Sequence, residues 1–159
     1  MSDDTRIPTQ LCTFRLEPYN FGVDVLFVQE VMRHQEITPV PLAPPEVRGL
    51  INLRGQLVIA IDLARRLGLP ARPPEMRPSH VVVRSPVGAT SLLVDVVGDV
   101  RVMDPGAFEP THESIRGPAR EVTSGVFKLD NELLLVLDVA RAVMPAVLAI
   151  NGGALPKAG

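Results

Sequence analysis

Short apolar runs that alternate with polar residues, each pair joined by turn-forming residues, recur along most of the chain. Residues 11–16 (Leu-Cys-Thr-Phe-Arg-Leu) alternate, Glu17-Pro18-Tyr19-Asn20 supplies turn chemistry, and 21–26 resumes the apolar run. This pattern predicts a hairpin. A second is predicted from 50–53 and 57–61 through Arg54-Gly55-Gln56, and a third from 80–84 through 85–88 into 91–96. A fourth runs from 126–129 through Asp130-Asn131 into 133–137. Asp-Asn suits the positive φ angles of tight hairpin turns. Four hairpins at fairly regular spacing predict a mainly β protein.

The chain also repeats itself. Residues 49–67 align without gaps on 125–143, with identities at Gly49/Gly125, Leu53/Leu129, Leu57/Leu133, Asp62/Asp138, Ala64/Ala140 and Arg65/Arg141. A weaker match sets Phe27-Val28-Gln29-Glu30-Val31 against Val96-Val97-Gly98-Asp99-Val100. Two similar units follow, each with a hairpin, an irregular or helical link, a second hairpin and a short helix. Small barrels remove exposed sheet edges, so the expected architecture is two pseudo-repeated β barrels packed side by side, with strand segments of each half on the other. Asp62 and Asp138 stand where a strand pattern turns helical, as N-caps do, and Gly68 suits a left-handed helix end. The folded unit is expected to span 11–145. Residues 1–10 are read as a flexible N-terminus, and 146–159, after Pro145, as a flexible tail.

Composition narrows the function. Of 159 residues, 46% are apolar, 4% are aromatic, and 16 basic against 18 acidic side chains leave a net charge of -2. No basic block and few aromatics argue against nucleic acid as a partner. The longest uncharged stretch, 142–156, is too short and too broken by Pro145, Gly152 and Gly153 to span a bilayer. From a single cysteine and a polar start the chain is expected to be cytoplasmic.

Candidate chemistry is sparse. His34, His80 and His112 lack metal-ligand spacing, and no phosphate loop or nucleophile elbow is present, so neither metal nor cofactor is expected. Cys12 reads as a small buried hydrophobe. A carboxylate enzyme would need two of Asp62, Asp95, Asp99 and Asp138 in one cleft. Two features point instead to binding. Val25, Val28 and Val31 recur every three residues, and could form an apolar groove for a partner helix. Arg54 stands beside Gly55 at a hairpin tip where the second repeat has Asp130, so the turn itself does not call for arginine.

From 11 to 143 the chain resembles the chemotaxis coupling proteins, the CheW-like adaptors. The specific segments are Ile37-Thr38-Pro39-Val40-Pro41, Val47-Arg48-Gly49-Leu50-Ile51-Asn52-Leu53-Arg54-Gly55 and Val58-Ile59-Ala60-Ile61-Asp62-Leu63. Leu93-Val94-Asp95, the following 96–100, and the late hairpin with Asp138 add support. The resemblance implies two five-stranded SH3-like barrels and no catalytic activity. It also implies a bridge between the helical hairpin tips of methyl-accepting chemoreceptors and the regulatory domain of a CheA-type histidine kinase. The chain would then reach membrane-associated arrays only through receptors. An alternative within the family is an adaptor that serves a non-motility kinase pathway or competes with a principal coupling protein. By the same resemblance the receptor groove comprises Cys12, Val25, Val28, Val31 and Val97. Glu30, Asn52, Arg54 and Gly55 fall at coupling positions, with Glu30 and Arg54 expected to pair. Cys12 is smaller than the aliphatic residue expected in the groove, and Ala60 replaces a frequent proline.

Overall fold

A computed structural model describes residues 7–110 and 112–153. Among them the four expected hairpins form as β1 (Gln10–Leu16) with β2 (Tyr19–Asp24), β4 (Val47–Leu53) with β5 (Gln56–Asp62), β6 (Ser79–Ser85) with β7 (Gly88–Val94), and β10 (Thr123–Lys128) with β11 (Leu133–Leu137). Three strands were not anticipated: β3 (Val28–Met32), β8 (Val96–Val102) and the two-residue β9 (Phe108–Glu109). Helices are α1 (Leu63–Arg66), α2 (Gly117–Glu121) and α3 (Val139–Gly153).

The strands build two SH3-like sheets of almost the same plan. One has the order β8-β1-β2-β11-β10-β9, the other β3-β6-β7-β5-β4. The sixth strand of the first is matched in the second by a single bridge, Thr38 to Leu50. The two repeats therefore exchange their first hairpins. β1 and β2 leave the first repeat to join β8–β11, while β6 and β7 leave the second to join β3–β5. Each exchange closes on a parallel pair, β2 with β11 and β7 with β5.

This exchange explains where the core sits. Each barrel interior is small: Ile51, Leu53, Val58, Ala60, Val82 and Leu93 in one, and Leu11, Met103, Phe127, Leu134 and Val136 in the other. The largest apolar cluster lies where the two sheets meet and draws on both repeats, from Phe14 and Val23 through Val81 and Val83 to α3. Neither half holds its own core, so the chain folds as one unit.

The repeated residues have physical reasons. Gly49 and Gly125 each follow a bulge in the strand pairing. A side chain at Gly49, where φ is +145°, would place Cβ 2.1 Å from the Thr38 carbonyl oxygen, and one at Gly125 would lie 2.2 Å from the Phe108 ring. Asp62 accepts from the Arg65 amide and Asp138 from the Arg141 amide, so both cap as expected. Gly68 has φ of +68°, the left-handed helix end the sequence called for.

Three expectations need correction. The tail does not begin at Pro145: α3 runs on to Gly153, with Ala142, Val143, Ala146, Val147 and Ile150 buried against the central cluster. Pro145 deprives the Arg141 carbonyl of its helical donor. Arg66 of α1 supplies one, its guanidinium donating to that oxygen at 3.2 Å. The N-terminus is not free up to residue 10 either, because Ile7 packs against the Phe127 cluster and the Thr9 carbonyl accepts from Met103. Residues 1–6 and 154–159 lie outside the described residues. Finally, Asp130 and Asn131 do not adopt positive φ. Among described non-glycine residues only Leu42 and Arg54 do.

Candidate functional site

The edge strands β3 and β8 frame the junction between the barrels. Among the described residues β3 pairs only with β6, and β8 only with β1. Directly opposed residues of an antiparallel pair point to the same face. Val28 and Val31 oppose Val83 and Val81, and Val97 and Val100 oppose Phe14 and Cys12. Val81, Val83, Cys12 and Phe14 all belong to the central cluster, so the four valines face the seam between the sheets.

The sequence-predicted groove residues fall at different depths. Cys12 is 5% exposed and forms floor, not surface, and burial pushes its thiol pKa up. Val25, in a single helical turn at the β2–β3 crossover, is half-buried with Val28 and Val97 against the central cluster. Val31 is 44% exposed and shares with Val97 a depression of ≈ 600 Å³. The three-residue interval between Val28 and Val31 comes from the strand pairing. A bulge at Gln29 and Glu30 inserts one extra residue into β3, which returns Val31 to the face of Val28.

The groove is pseudo-two-fold. The weak repeat makes Val28 equivalent to Val97 and Val31 to Val100, and β8 carries its own irregularity at Gly98 and Asp99. Val100 was missed although that equivalence already pointed to it. It is 60% exposed while facing the core side, and Val96 and Val102 extend the apolar edge at 55% and 78%.

On its other face β3 carries Glu30, opposite Val82 of the barrel interior. Arg54 binds Glu30 through two hydrogen bonds of 2.6 and 2.8 Å. The Arg54-Gly55 turn has positive φ at both positions, +53° and +86°. Such a backbone is unfavourable for arginine, and the two-pronged carboxylate grip, together with the Asn52 side chain accepting from the Gly55 amide at 2.8 Å, holds it. The guanidinium hydrogen bond keeps the Glu30 carboxyl below its usual range. All four predicted coupling residues therefore form one construction, joined to the groove through β3.

Asp62, Asp95 and His80 have partners within the fold. Asp62 and Asp95 do come together, but around Arg72, which reaches Asp95 at 3.0 Å and Asp62 at 3.1 and 3.3 Å. His80 is fully buried, with Nδ1 on the Ser91 hydroxyl at 2.8 Å and Nε2 without a partner. Burial, with His34 nearby, lowers its pKa to about 4. The unfolded chain then binds the proton first, so stability is complete above pH 6.5 and is lost as pH falls toward 4, by roughly 3 kcal/mol. Denaturant titrations across that window should show the slope, and the double variant His80→Leu/Ser91→Ala should flatten it. An unchanged slope would assign it to other groups.

Two interlocked SH3-like barrels with an apolar seam groove and a clamped arginine tip define a protein-binding class of β module. A family model for the CheW-like domain matches residues 10–144, and the chain belongs to that family. It is 29% identical over 130 residues to the chemotaxis protein CheW of Rhizobium meliloti, covering 82% of this chain and 84% of that one. It is 25% identical over 144 residues to CheW of Bacillus subtilis, covering 91% and 92%. The crystal structure of the scaffolding protein TtCheW from Thermoanaerobacter tengcongensis superposes with a TM-score of 0.77 at 26% identity, covering 86% of this chain and 92% of that chain.

Proposed function

We propose that this chain is a non-catalytic chemotaxis adaptor that couples receptor hairpin tips to the regulatory domain of a CheA-type histidine kinase. The observation that carries the reading is β3 itself. One face presents Val28 and Val31 to the groove, and the other presents Glu30 to Arg54. A helix seated against the valines presses on the same short edge strand that fixes the tip.

An apolar groove of this kind accepts a helix through anchors at helical spacing. Its two equivalent walls suit a ligand whose two helices run antiparallel, as in a hairpin tip. The Arg54 tip is the kinase-coupling element in this reading, and the barrel ends provide the contact with the kinase regulatory domain. No helix among the described residues is long and apolar enough to cross a membrane. Attachment to arrays then runs through the receptors, with the adaptor in the cytoplasm.

The test is co-sedimentation with receptor-bearing membranes and kinase, with kinase output measured in the same samples. Arg54→Glu sets two carboxylates face to face across the former ion pair. It should abolish control of the kinase while the circular dichroism spectrum is unchanged. The charge-swapped pair Glu30→Arg/Arg54→Glu should regain the tip geometry and part of the control. Full control by Arg54→Glu alone would remove the tip from the coupling mechanism.

A further inference from the structure

The groove between the barrels is pseudo-two-fold in its apolar walls but not in its charge. The depression that Val31 shares with Val97 is bounded by Arg33 and His34, which follow β3, and by Arg77, two residues before β6. Both arginines are exposed, and among the described residues neither guanidinium has a hydrogen bond or an ion pair. Arginines nearby are engaged: Arg54 by Glu30, Arg72 by Asp62 and Asp95, and Arg84 by the Leu26 and Val28 carbonyls. Asp95, which lines the same depression, does not neutralise Arg33 or Arg77, since it accepts from Arg72 at 3.0 Å and from the Glu17 amide at 3.2 Å. Glu36 and Glu75, exposed on the flanking segments, form no ion pair with either among the described residues.

The repeat shows what stands at the opposite end. Val31 opposes Val81 as Val100 opposes Cys12, so β3 on β6 and β8 on β1 share one register. Arg33, two residues past Val31, therefore corresponds to Val102, two past Val100. Arg77, four before Val81, corresponds to Pro8, four before Cys12. Val102 is 78% exposed and Pro8 is buried, while Arg101 beside them is taken by Glu132 at 2.8 Å. The depression joins the end of β3 to the start of β8, so exchanging the two strands exchanges the two ends of the groove. One end offers two unpaired guanidinium groups and the other an apolar rim.

We propose that Arg33 and Arg77 read a carboxylate of the receptor hairpin and so fix the direction in which it lies in the groove, an inference that rests on the function proposed above. Apolar contact alone does not set that direction, because two equivalent walls accept a two-helix ligand either way round. A helix whose apolar anchor seats between Val31 and Val97 carries the residues three and four positions away on the same face. An aspartate or glutamate there meets guanidinium groups that give up no internal partner, and their planar forks match a carboxylate. Turned round, the same carboxylate would lose its water against Val102, where Arg101 is already engaged.

The probe is a receptor cytoplasmic hairpin, titrated by calorimetry and methyl NMR into the full chain and its Arg33→Gln/Arg77→Gln variant. Both side chains are exposed, so the denaturation midpoint should not change. Affinity should fall about tenfold, and the weakening of binding by salt seen with the parent chain should disappear. A hairpin whose acidic residues three and four positions from its groove anchors are changed to asparagine and glutamine should bind the two chains within about twofold of each other. A nitroxide at the hairpin's bend should broaden the methyls of Val31 or of Val102 in the parent chain, not both, and should broaden both in the variant. Equal affinity of the native hairpin for parent and variant, or broadening at both ends in the parent, overturns the direction-setting role and leaves the groove itself standing. If the hairpin leaves Val28, Val31, Val97 and Val100 unperturbed, the proposed function fails and this inference with it.

Discussion

Val28→Asp is expected to abolish binding of a receptor hairpin while the chain stays folded. Val28 is half-buried in the wall of the groove, where its methyl groups meet the central cluster. A carboxylate there must lose water when a helix seats over it, and the neighbouring Arg84 guanidinium already serves the Leu26 and Val28 carbonyls. Desolvation of that charge and loss of the apolar contact together are worth about 3 kcal/mol, or roughly a hundredfold in affinity. Since groove and core share this residue, a second substitution separates the two effects. Val100→Asp lies at 60% exposure on the equivalent wall and leaves the packing intact. It should weaken the same binding at least about tenfold with no change in denaturation midpoint. Binding retained by both variants, measured by titration calorimetry, would place the receptor elsewhere.

Arg72→Ala is expected to be the most destabilising single change outside the apolar core. Arg72, Asp62 and Asp95 have side-chain exposures of 10%, 10% and 15%, so the truncation leaves two carboxylates half-stripped of water and facing each other. It also frees the linker between the repeats and the β1–β2 turn, whose Glu17 amide donates to Asp95 at 3.2 Å. Breaking such a buried network costs about 3 kcal/mol, or roughly 10 °C in midpoint for a domain of this size. The neutral set Arg72→Met/Asp62→Asn/Asp95→Asn should recover most of the loss, because an asparagine side chain at position 62 still caps α1 and no charge is stranded. A midpoint within about 2 °C of the parent for Arg72→Ala would mean that the linker is not clamped.

The hairpins were legible in the sequence because alternation and turn residues are local. The caps at Asp62 and Asp138 and the end at Gly68 were legible for the same reason. The repeat was legible too, and it carried more than the fold: read one step further, the match of Val31 to Val100 names the groove residue that was missed. What the sequence hid depends on contacts distant along the chain. Strand segments of each half were expected on the other, but nothing in a gapless repeat says that it is the whole first hairpin of each that crosses. Pro145 reads as a helix stop until Arg66, far upstream, is seen to serve the carbonyl the proline leaves unpaired. The valine interval pointed to one apolar side, and the bulge that puts Val28 and Val31 there was not legible because it depends on the pairing with β6. Glu30 and Arg54 were expected to pair through resemblance, and the pairing explains why arginine holds a positive φ there.

The central claim is that a receptor's helical hairpin lies in the groove between β3 and β8. Methyl-resolved NMR of the chain labelled at valine and leucine, titrated with a receptor cytoplasmic hairpin, tests it most directly. The expected result is perturbation of Val28, Val31, Val97 and Val100 together, on both walls and at one stoichiometry, with Leu57 and Val87 unmoved. Perturbation confined to one wall, or centred on Leu57 and Val87, would contradict it.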